Sequence, residues 1–291
     1  MKRVTVHQTR VFSAPGLLGN TAGVVVWEQE PAPALMHVFL RHADSRQTWC
    51  FAWPEHGAVA VRCHGGGRAI SFCGHGLLAV ANIWLREYGE CPVLNTPAAR
   101  YHTLLENGSL WLRTARLRCR VAAPPEQWRR WFDNAGAGPW RGALAGDAHG
   151  YRVLEWPAGT ELAALRPNLD AIVSDETCSV IVTQAYPTGD TFFKRHRDWD
   201  FSLRYFAPQY GVSEDDATGS ANAVLADYWR GRLPGGKGAD AVFRARQCSK
   251  GGGAVMSRLR GSFVDIGGEF HVIETTAHRL EPDGFSAAAG G

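Results

Sequence analysis

The segment Ser71-Phe72-Cys73-Gly74-His75-Gly76 stands directly before the most helix-like stretch of the chain. The residues after it, 77–85 (LLAVANIWL), are nearly all apolar, and Gly89 follows shortly afterwards. Apolar residues at helical spacing that end at a glycine are typical of a buried helix. The first N–H groups of such a helix have no backbone partner and attract anions. This stretch therefore predicts a buried helix whose start carries a thiol and an imidazole.

A second segment, in the other half of the chain, repeats this arrangement. Glu214-Asp215-Asp216-Ala217-Thr218-Gly219-Ser220-Ala221 leads into a second apolar stretch, residues 221–229, which is also followed by a glycine. We expect the two loop-to-helix starts, one in each half, to hold a carboxylate between them. They would bring Cys73, His75 and Asp215 to one substrate carbon, which is the arrangement of an enzyme.

The order of the elements predicts an α+β protein with two similar lobes and a cleft between them. In each half, strands come first, then a polar loop, then a buried helix. Residues 122–128 (AAPPEQW) interrupt the strand pattern, so we place the boundary just before residue 118. The expected parts are an N-terminal lobe over 1–117, a C-terminal lobe over 118–280, and a disordered tail over 281–291.

Composition and charge argue against several classes of protein. A chain of 291 residues with 45% hydrophobic and 20% charged residues is typical of a soluble protein of two domains. The net charge of +3 is too small to indicate a nucleic-acid or membrane partner, and the basic run at 194–197 is expected to be a solvated loop. Seven scattered cysteines without a CxxC pair argue against a disulfide framework and a structural zinc site. The N-terminus enters a strand without a long apolar run, so we expect a reducing cytoplasm.

Three side chains are candidates for chemistry. His75 lies between two glycines, so its ring should face whatever the loop binds. Cys73 has two interpretations, as a small buried hydrophobic residue or as a base whose pKa is lowered by the helix N-terminus. Asp215 resembles a surface charge until Thr218-Gly219-Ser220 is considered, because a carboxylate, two hydroxyls and free N–H groups then converge over six residues.

Several segments resemble the PhzF-like phenazine-biosynthesis isomerase family, which has the diaminopimelate epimerase and proline racemase fold. They are Val11-Phe12 with 19–25 (GNTAGVV), 72–79 (FCGHGLLA), 200–208 (DFSLRYFAP) with 214–221, and 245–252 (ARQCSKGG). The resemblance implies two facing lobes, each with a central helix wrapped by a mostly antiparallel, barrel-like sheet. It also implies proton transfer at carbon in small amino- or hydroxy-acid-like substrates, no cofactor, and a homodimer.

The position of the family's acid/base residue departs from the family pattern. The family's general acid/base is a glutamate in a Ser-Glu-Thr-type segment, and the matching segment here is Ser45-Arg46-Gln47-Thr48-Trp49. An amide has no proton to exchange near neutral pH, so Gln47 can only orient or polarise by hydrogen bonding. The other polar site positions of the family are matched by His75, Asp215 and Ser220.

Three functions remain open. The first is a cofactor-independent isomerase of secondary metabolism that acts on a small cyclic or amino-acid-like carboxylate, with acid/base work shared by His75 and Asp215. The second is a lyase or dehydratase with Cys73 as its single base, since Cys73 and Thr218 match the two cysteine positions of the wider fold. The third is a non-catalytic metabolite-binding protein that has lost the family glutamate. The expected catalytic residues are His75, Asp215, Gln47 and Cys73; the expected substrate-binding residues are Asn20, Gly74, Gly76, Thr218, Gly219 and Ser220, with no metal ligands.

Overall fold

The structure is a computed structural model that describes residues 2–134, 136, 138–186, 199–233, 236–238, 241–281 and 284–287. The basic run at 194–197 lies outside the described residues. The chain divides into two compact units. The first comprises Met1–Ser13, Asn20–Arg113 and Gly267–Gly291, and the second comprises Ala14–Gly19 and Thr114–Ile266. No helix in the described ranges has both the length and the apolar character that a membrane span requires.

The first unit begins with strands and one buried helix. Its elements are β1 (Lys2–Ser13), β2 (Asn20–Val26), α1 (Pro33–His42), β3 (Thr48–Glu55), β4 (Ala58–Gly65), β5 (Arg68–Ile70), α2 (Gly74–Tyr88), β6 (Val93–Asn95), β7 (Arg100–Glu106) and β8 (Ser109–Ala115). β1 pairs antiparallel with β2, β2 pairs parallel with β3, and β3 pairs antiparallel with β4. α2 is buried on every side from Leu77 to Ala81, so it is enclosed by the unit rather than laid on its surface. It ends at Gly89, whose φ of 78° is a conformation that glycine adopts easily.

The second unit repeats this plan. Its elements are β9 (Cys119–Val121), α3 (Trp128–Trp131), β10 (Arg141–Ala145), β11 (Tyr151–Glu155), α4 (Leu169–Asp175), β12 (Ser179–Ala185), β13 (Phe201–Phe206), α5 (Gly219–Trp229), β14 (Val242–Gln247), β15 (Gly253–Arg260) and β16 (Phe263–Gly267), with 3-10 turns at Leu162–Ala164 and Pro208–Tyr210. α5 lies in a hydrophobic core with Val153, Phe201 and Val264 from the surrounding strands. The expected α+β class, with a central helix among mostly antiparallel strands in each unit, is confirmed.

The end of the chain differs from expectation. β17 (Glu269–Glu281) and β18 (Gly284–Ala287) follow the second unit in sequence but belong to the first. β17 pairs antiparallel with β1 from Lys2 opposite Leu280 to Ser13 opposite Glu269. The expected C-terminal lobe therefore ends earlier, at Ile266, because the backbone of β17 finds its hydrogen-bonding partner in β1. The expected disordered tail is likewise wrong at 284–287, which pairs with β17, and residues 288–291 lie outside the described ranges.

Candidate active site

The start of α2 presents backbone donors in the first unit. Cys73 is the N-cap residue, and its carbonyl accepts the first intrahelical hydrogen bond, 2.9 Å long, from Leu77 N–H. The N–H groups of Gly74 and Gly76 precede that bond and therefore have no partner within the helix. These are the donors expected to bind a substrate carboxylate, and that role stays a prediction.

The His75 ring is held by a side-chain amide. Asn20, a buried residue at the start of β2, has its Nδ2 3.2 Å from Nδ1 of His75. Because Asn20 Nδ2 donates to Nδ1, the neutral imidazole carries its proton on Nε2. The Sγ atom of Cys73 lies 3.7 Å from both ring nitrogens. The structure therefore places two expected catalytic residues and one expected substrate-binding residue side by side.

Cys73 is one of three neighbouring thiols. Cys50 on β3 lies directly opposite Cys63 on β4, and their Sγ atoms are 2.7 Å apart. A Cβ atom at Gly76 would lie 2.5 Å from Sγ of Cys50, 2.9 Å from Sγ of Cys73 and 3.4 Å from Sγ of Cys63. Cys50, Cys63 and Cys73, here called the thiol cluster, are all buried and not in disulfides. Glycine at position 76 allows the three sulfurs to converge on the helix start.

The thiols influence one another's ionisation. Hydrogen bonds from Cys50 and Cys63 hold the pKa of the Cys73 thiol well below its usual value; His75 lowers it further, although burial opposes this. Burial raises the pKa of Cys50 well above its usual value, and its two cysteine neighbours add to that effect. The hydrogen bond with Cys50 lowers the pKa of Cys63, but Cys73 and burial outweigh it, so the pKa is raised well above its usual value. Cys73 is therefore the most acidic thiol of the cluster.

The cluster does not have the spacing of a metal centre. Thiolates around a zinc ion each lie about 2.3 Å from the metal and well apart from one another. The 2.7 Å between Cys50 and Cys63 is too short for that arrangement. Within the described ranges, no group of three or more histidine, cysteine or acidic residues has the geometry to hold a metal ion.

Gln47 makes its contact on the strands of the first unit. It stands just before β3, and its Nε2 donates a 2.8 Å hydrogen bond to Oε1 of Gln8 on β1. Gln8 pairs with Gly23 on β2, and a Cβ atom at Gly23 would lie 2.8 Å from Nε2 of Gln47. The side-chain amide of Gln47 therefore packs against both β1 and β2. Its proximity to substrate stays a prediction.

Asp215 in the second unit is fixed through Thr218 and Gln247. The Thr218 hydroxyl donates to Oδ2 of Asp215 at 2.7 Å. Gln247, which is fully buried, accepts from Thr218 N–H through Oε1 at 2.8 Å. Its Nε2 donates to the Asp215 carbonyl at 2.5 Å and to Oγ1 of Thr218 at 3.1 Å. The Thr218 hydroxyl thus donates its hydrogen to the Asp215 carboxylate, so Thr218 orients Asp215 and does not act as a base.

The start of α5 resembles that of α2, because it too has N–H groups that precede the first intrahelical hydrogen bond. Its first intrahelical bond runs from Asn222 N–H to the Thr218 carbonyl, at 3.2 Å. The N–H groups of Gly219, Ser220 and Ala221 therefore have no partner within the helix. The side chain of Ser220 hydrogen-bonds Tyr151, whose pKa is raised by burial. The structure places Asp215, Thr218, Gly219 and Ser220 together at the start of α5, and their role as one side of a site stays a prediction.

Three residues at these helix starts, Gln247, Cys50 and Cys63, are not among the residues expected from the sequence, although the sequence contains signals for them. Alternation along β14 buries Phe243 and Ala245, and Gln247 continues that face as a lone polar residue. A hairpin turn centred on His56-Gly57 places Cys50 opposite Cys63, because the two residues lie equally far from the turn along the chain. The mutual distance of His75 and Asp215, which lie in different units, stays a prediction.

Comparison with known proteins gives consistent matches. The family described as phenazine biosynthesis-like protein matches residues 146–269. A protein named as an uncharacterised isomerase in Vibrio cholerae is 55% identical over 255 residues, which cover 84% of this chain and 79% of the relative. Another, in Pseudomonas aeruginosa, is 28% identical over 277 residues, covering 94% and 98%. The crystal structure of a PhzF-family phenazine biosynthesis protein of Enterococcus faecalis has a TM-score of 0.79 at 20% identity, covering 96% of this chain and 100% of its own, which shows a shared fold.

Proposed function

This chain belongs to the phenazine biosynthesis-like protein family, and on that premise we propose that it is an isomerase that moves a proton between carbons of a small carboxylate. The relatives in Vibrio cholerae and Pseudomonas aeruginosa are both named as isomerases. The finer elements of the proposal, namely proton transfer, a cyclic or amino-acid-like substrate and a role in secondary metabolism, extend beyond those names.

One observation carries the proposal. At the start of the buried helix in each unit, a side-chain amide fixes a group that can transfer a proton. Asn20 holds His75 in the first unit. Gln247 holds Thr218, and through it Asp215, in the second. Acid/base catalysis needs groups with a defined orientation and an available proton site, and both helix starts meet that requirement.

The proposed reaction needs two proton transfers and no other reactant. One of His75 and Asp215 removes a proton from a carbon of the substrate, and the electron pair moves into the adjacent unsaturated system. The other delivers a proton at a different carbon. Negative charge that develops on the substrate carboxylate would be stabilised by the N–H groups and the dipole at a helix start. Gln47 and Ser220 would orient the substrate, because neither side chain titrates near neutral pH.

A second candidate rests on the lowered pKa of Cys73. A thiolate at a helix start can act alone as a base. In a lyase it would remove a proton while a leaving group departs from the neighbouring carbon. Thr218 cannot supply the second thiol of a two-cysteine mechanism, which is consistent with a single-base reaction.

Exchange in deuterium oxide tests the proposal. Purified protein is incubated with a panel of small unsaturated carboxylates, and products are followed by NMR and mass spectrometry. An isomerase incorporates deuterium at carbon with no loss of a leaving group, whereas a lyase releases one. Either His75→Ala or Asp215→Ala should slow turnover by about 10²-fold or more. His102→Ala, an exposed histidine of the same unit as His75, is the matched control.

Absence of exchange across the panel, with tight binding of a metabolite, would favour the non-catalytic alternative. Equal rates in wild type and both site variants would place the acid/base groups elsewhere. The homodimer and the independence from a cofactor remain proposals drawn from the family resemblance, and the cytoplasmic location remains a proposal drawn from the sequence. Sedimentation of the purified chain tests the homodimer.

A further inference from the structure

We propose that Cys50 and Cys63 form a redox-active dithiol that takes up the oxidation of Cys73 and returns Cys73 to its thiol form. The proposal concerns protection of the site and requires no substrate. It therefore goes beyond the proposed isomerase activity. It rests on the convergence of three buried sulfurs at Gly76.

The backbone geometry of the pair suits a disulfide. Cys50 and Cys63 face each other on the antiparallel strands β3 and β4. Residues directly opposite on such strands have Cα atoms about 4.5–5.5 Å apart, within the range that a disulfide bridges. Their Sγ atoms are already 2.7 Å apart. Bond formation therefore needs little movement of the hairpin.

Cys73 is the entry point for an oxidant. Cys73 and Cys63 both have an exposed fraction of 6% and Cys50 has 0%, so exposure alone does not select Cys73. Cys73, however, adjoins the half-buried His75, at 3.7 Å from its ring nitrogens. The thiolate is the form of cysteine that reacts with peroxides, and the neighbouring S–H donors favour it at Cys73. Oxidation should therefore begin at Cys73 rather than within the hairpin.

The chemistry balances with hydrogen peroxide as the oxidant. The Cys73 thiolate attacks one peroxide oxygen, the O–O bond breaks, and a sulfenic acid and hydroxide form. The Cys50 sulfur then attacks the Cys73 sulfur, and the S–O bond breaks. Water leaves with the thiol proton, and a Cys50–Cys73 disulfide remains.

In the last step Cys63 attacks the Cys50 sulfur. The new bond joins Cys50 to Cys63, and Cys73 departs as a thiolate, while the Cys63 proton neutralises the hydroxide. Exchange proceeds faster when the leaving thiol has a low pKa, which fits Cys73. In total, two thiols and one peroxide give one disulfide and two waters.

To test the proposal, the purified chain is treated with one equivalent of hydrogen peroxide and then alkylated with iodoacetamide. Its peptides are then mapped by mass spectrometry. The wild type should contain a Cys50–Cys63 disulfide and an alkylated Cys73. In Cys50→Ala/Cys63→Ala, one equivalent of peroxide supplies one oxygen, so Cys73 should stop at the sulfenic acid, which dimedone present during the reaction traps. In Cys73→Ser, formation of the hairpin disulfide should slow by at least about tenfold, because the reactive thiolate is lost. Cys91→Ala, a cysteine of the same unit outside the cluster, should behave as the wild type.

The wild-type result is decisive even if a variant fails to fold. Sulfenic acid or a higher oxidation state at Cys73 beside reduced Cys50 and Cys63 would overturn the proposal. So would a stable Cys50–Cys73 disulfide, since the return step would then be absent. An unchanged rate of disulfide formation in folded Cys73→Ser would show that the oxidant reaches the hairpin directly, and would overturn the role of Cys73.

Discussion

The side-chain oxygen of Gln247 accepts a 2.8 Å hydrogen bond from the backbone N–H of Thr218, a residue 29 positions earlier. The N-cap donor of α5 is therefore satisfied by a neighbouring strand and not by a local cap. The same amide donates to the Asp215 carbonyl, so β14 fixes the loop that carries the carboxylate. The position of Asp215 depends on a residue that is not itself expected to touch substrate.

Gln247→Glu should lower both stability and turnover. The new carboxylate oxygen would face the Asp215 carbonyl and the Thr218 hydroxyl oxygen, which now accept from Nε2. Unpairing buried polar groups costs about 1–3 kcal/mol, measurable by urea unfolding. Gln184→Glu is the matched control, because Gln184 Nε2 also donates to a carbonyl and a hydroxyl in the same unit, at Thr160 and Ser202. We expect a similar loss of stability there with kcat retained, and equal kcat values in the two folded variants would contradict the role of Gln247.

The sequence predicts the two helix starts well and the long-range contacts poorly. Apolar spacing and a terminal glycine specify α2 from local chemistry alone, and its observed end at Gly89 agrees with the pattern. Gln247 and Thr218 become neighbours only when β14 pairs within its sheet, which no local pattern reports. β17 is harder to predict for a further reason. Most of its side chains over residues 269–278 are exposed and none is fully buried, so that stretch lacks the buried alternating face that indicates a strand, and its partner β1 lies at the other end of the chain.

Gly76→Ala should disrupt the thiol cluster. The added Cβ would lie 2.5 Å from Sγ of Cys50 and 2.9 Å from Sγ of Cys73, on short side chains that cannot turn away freely. Alanine favours a helix by about 1 kcal/mol over glycine, but overpacking a buried site costs about 1–3 kcal/mol. We expect a net loss of stability in thermal or urea unfolding. The same substitution in a Cys50→Ala background should cost less, because the closest sulfur is gone; an equal cost in both backgrounds would show that the sulfurs are not the cause.

Alkylation of Cys73 should persist to unusually low pH. Because the Cys50 and Cys63 thiols lower the pKa of Cys73 below the ordinary value of 9.0, its thiolate survives as the pH falls through 9.0. The iodoacetamide rate at Cys73, followed by peptide mapping, should therefore halve well below pH 9.0. The lowered pKa of Cys73 also stabilises the folded protein above the unfolded pKa, and this contribution is lost as the pH falls through the folded pKa.

The same profile in Cys50→Ala/Cys63→Ala should move toward that of free cysteine. The two S–H donors are the largest influences on the Cys73 pKa, so their removal should raise it. An unchanged midpoint in the double variant would assign the lowered pKa to His75 or to the helix start instead.

Asn20→Leu should slow turnover while leaving the fold intact. The substitution removes the Nδ2 donor to His75 Nδ1, so the ring loses its fixed orientation and tautomer. A loss of one hydrogen bond to a catalytic ring corresponds to about tenfold in kcat. Asn82→Leu is the control, because Asn82 Nδ2 donates only to the backbone carbonyl of Leu78 within α2. If kcat falls equally in both variants, the effect is general and His75 does not depend on Asn20.

Gln47→Glu separates the possible functions of the protein. The Gln8 side-chain amide can rotate and donate from its Nε2 to the new carboxylate at position 47, so the contact between the two side chains and the fold should be retained. If position 47 matches the family's acid/base residue, the variant should gain deuterium exchange on a dihydroanthranilate-type acid, or lose a native activity that depends on the amide as a donor. Gln8→Glu, which places the charge on the partner side chain 2.8 Å away, should do neither. Exchange measured in deuterium oxide for the wild type and both variants decides the matter. Identical behaviour of all three would show that Gln47 lies outside the site, and the family position would then have to be sought among other residues of the first unit.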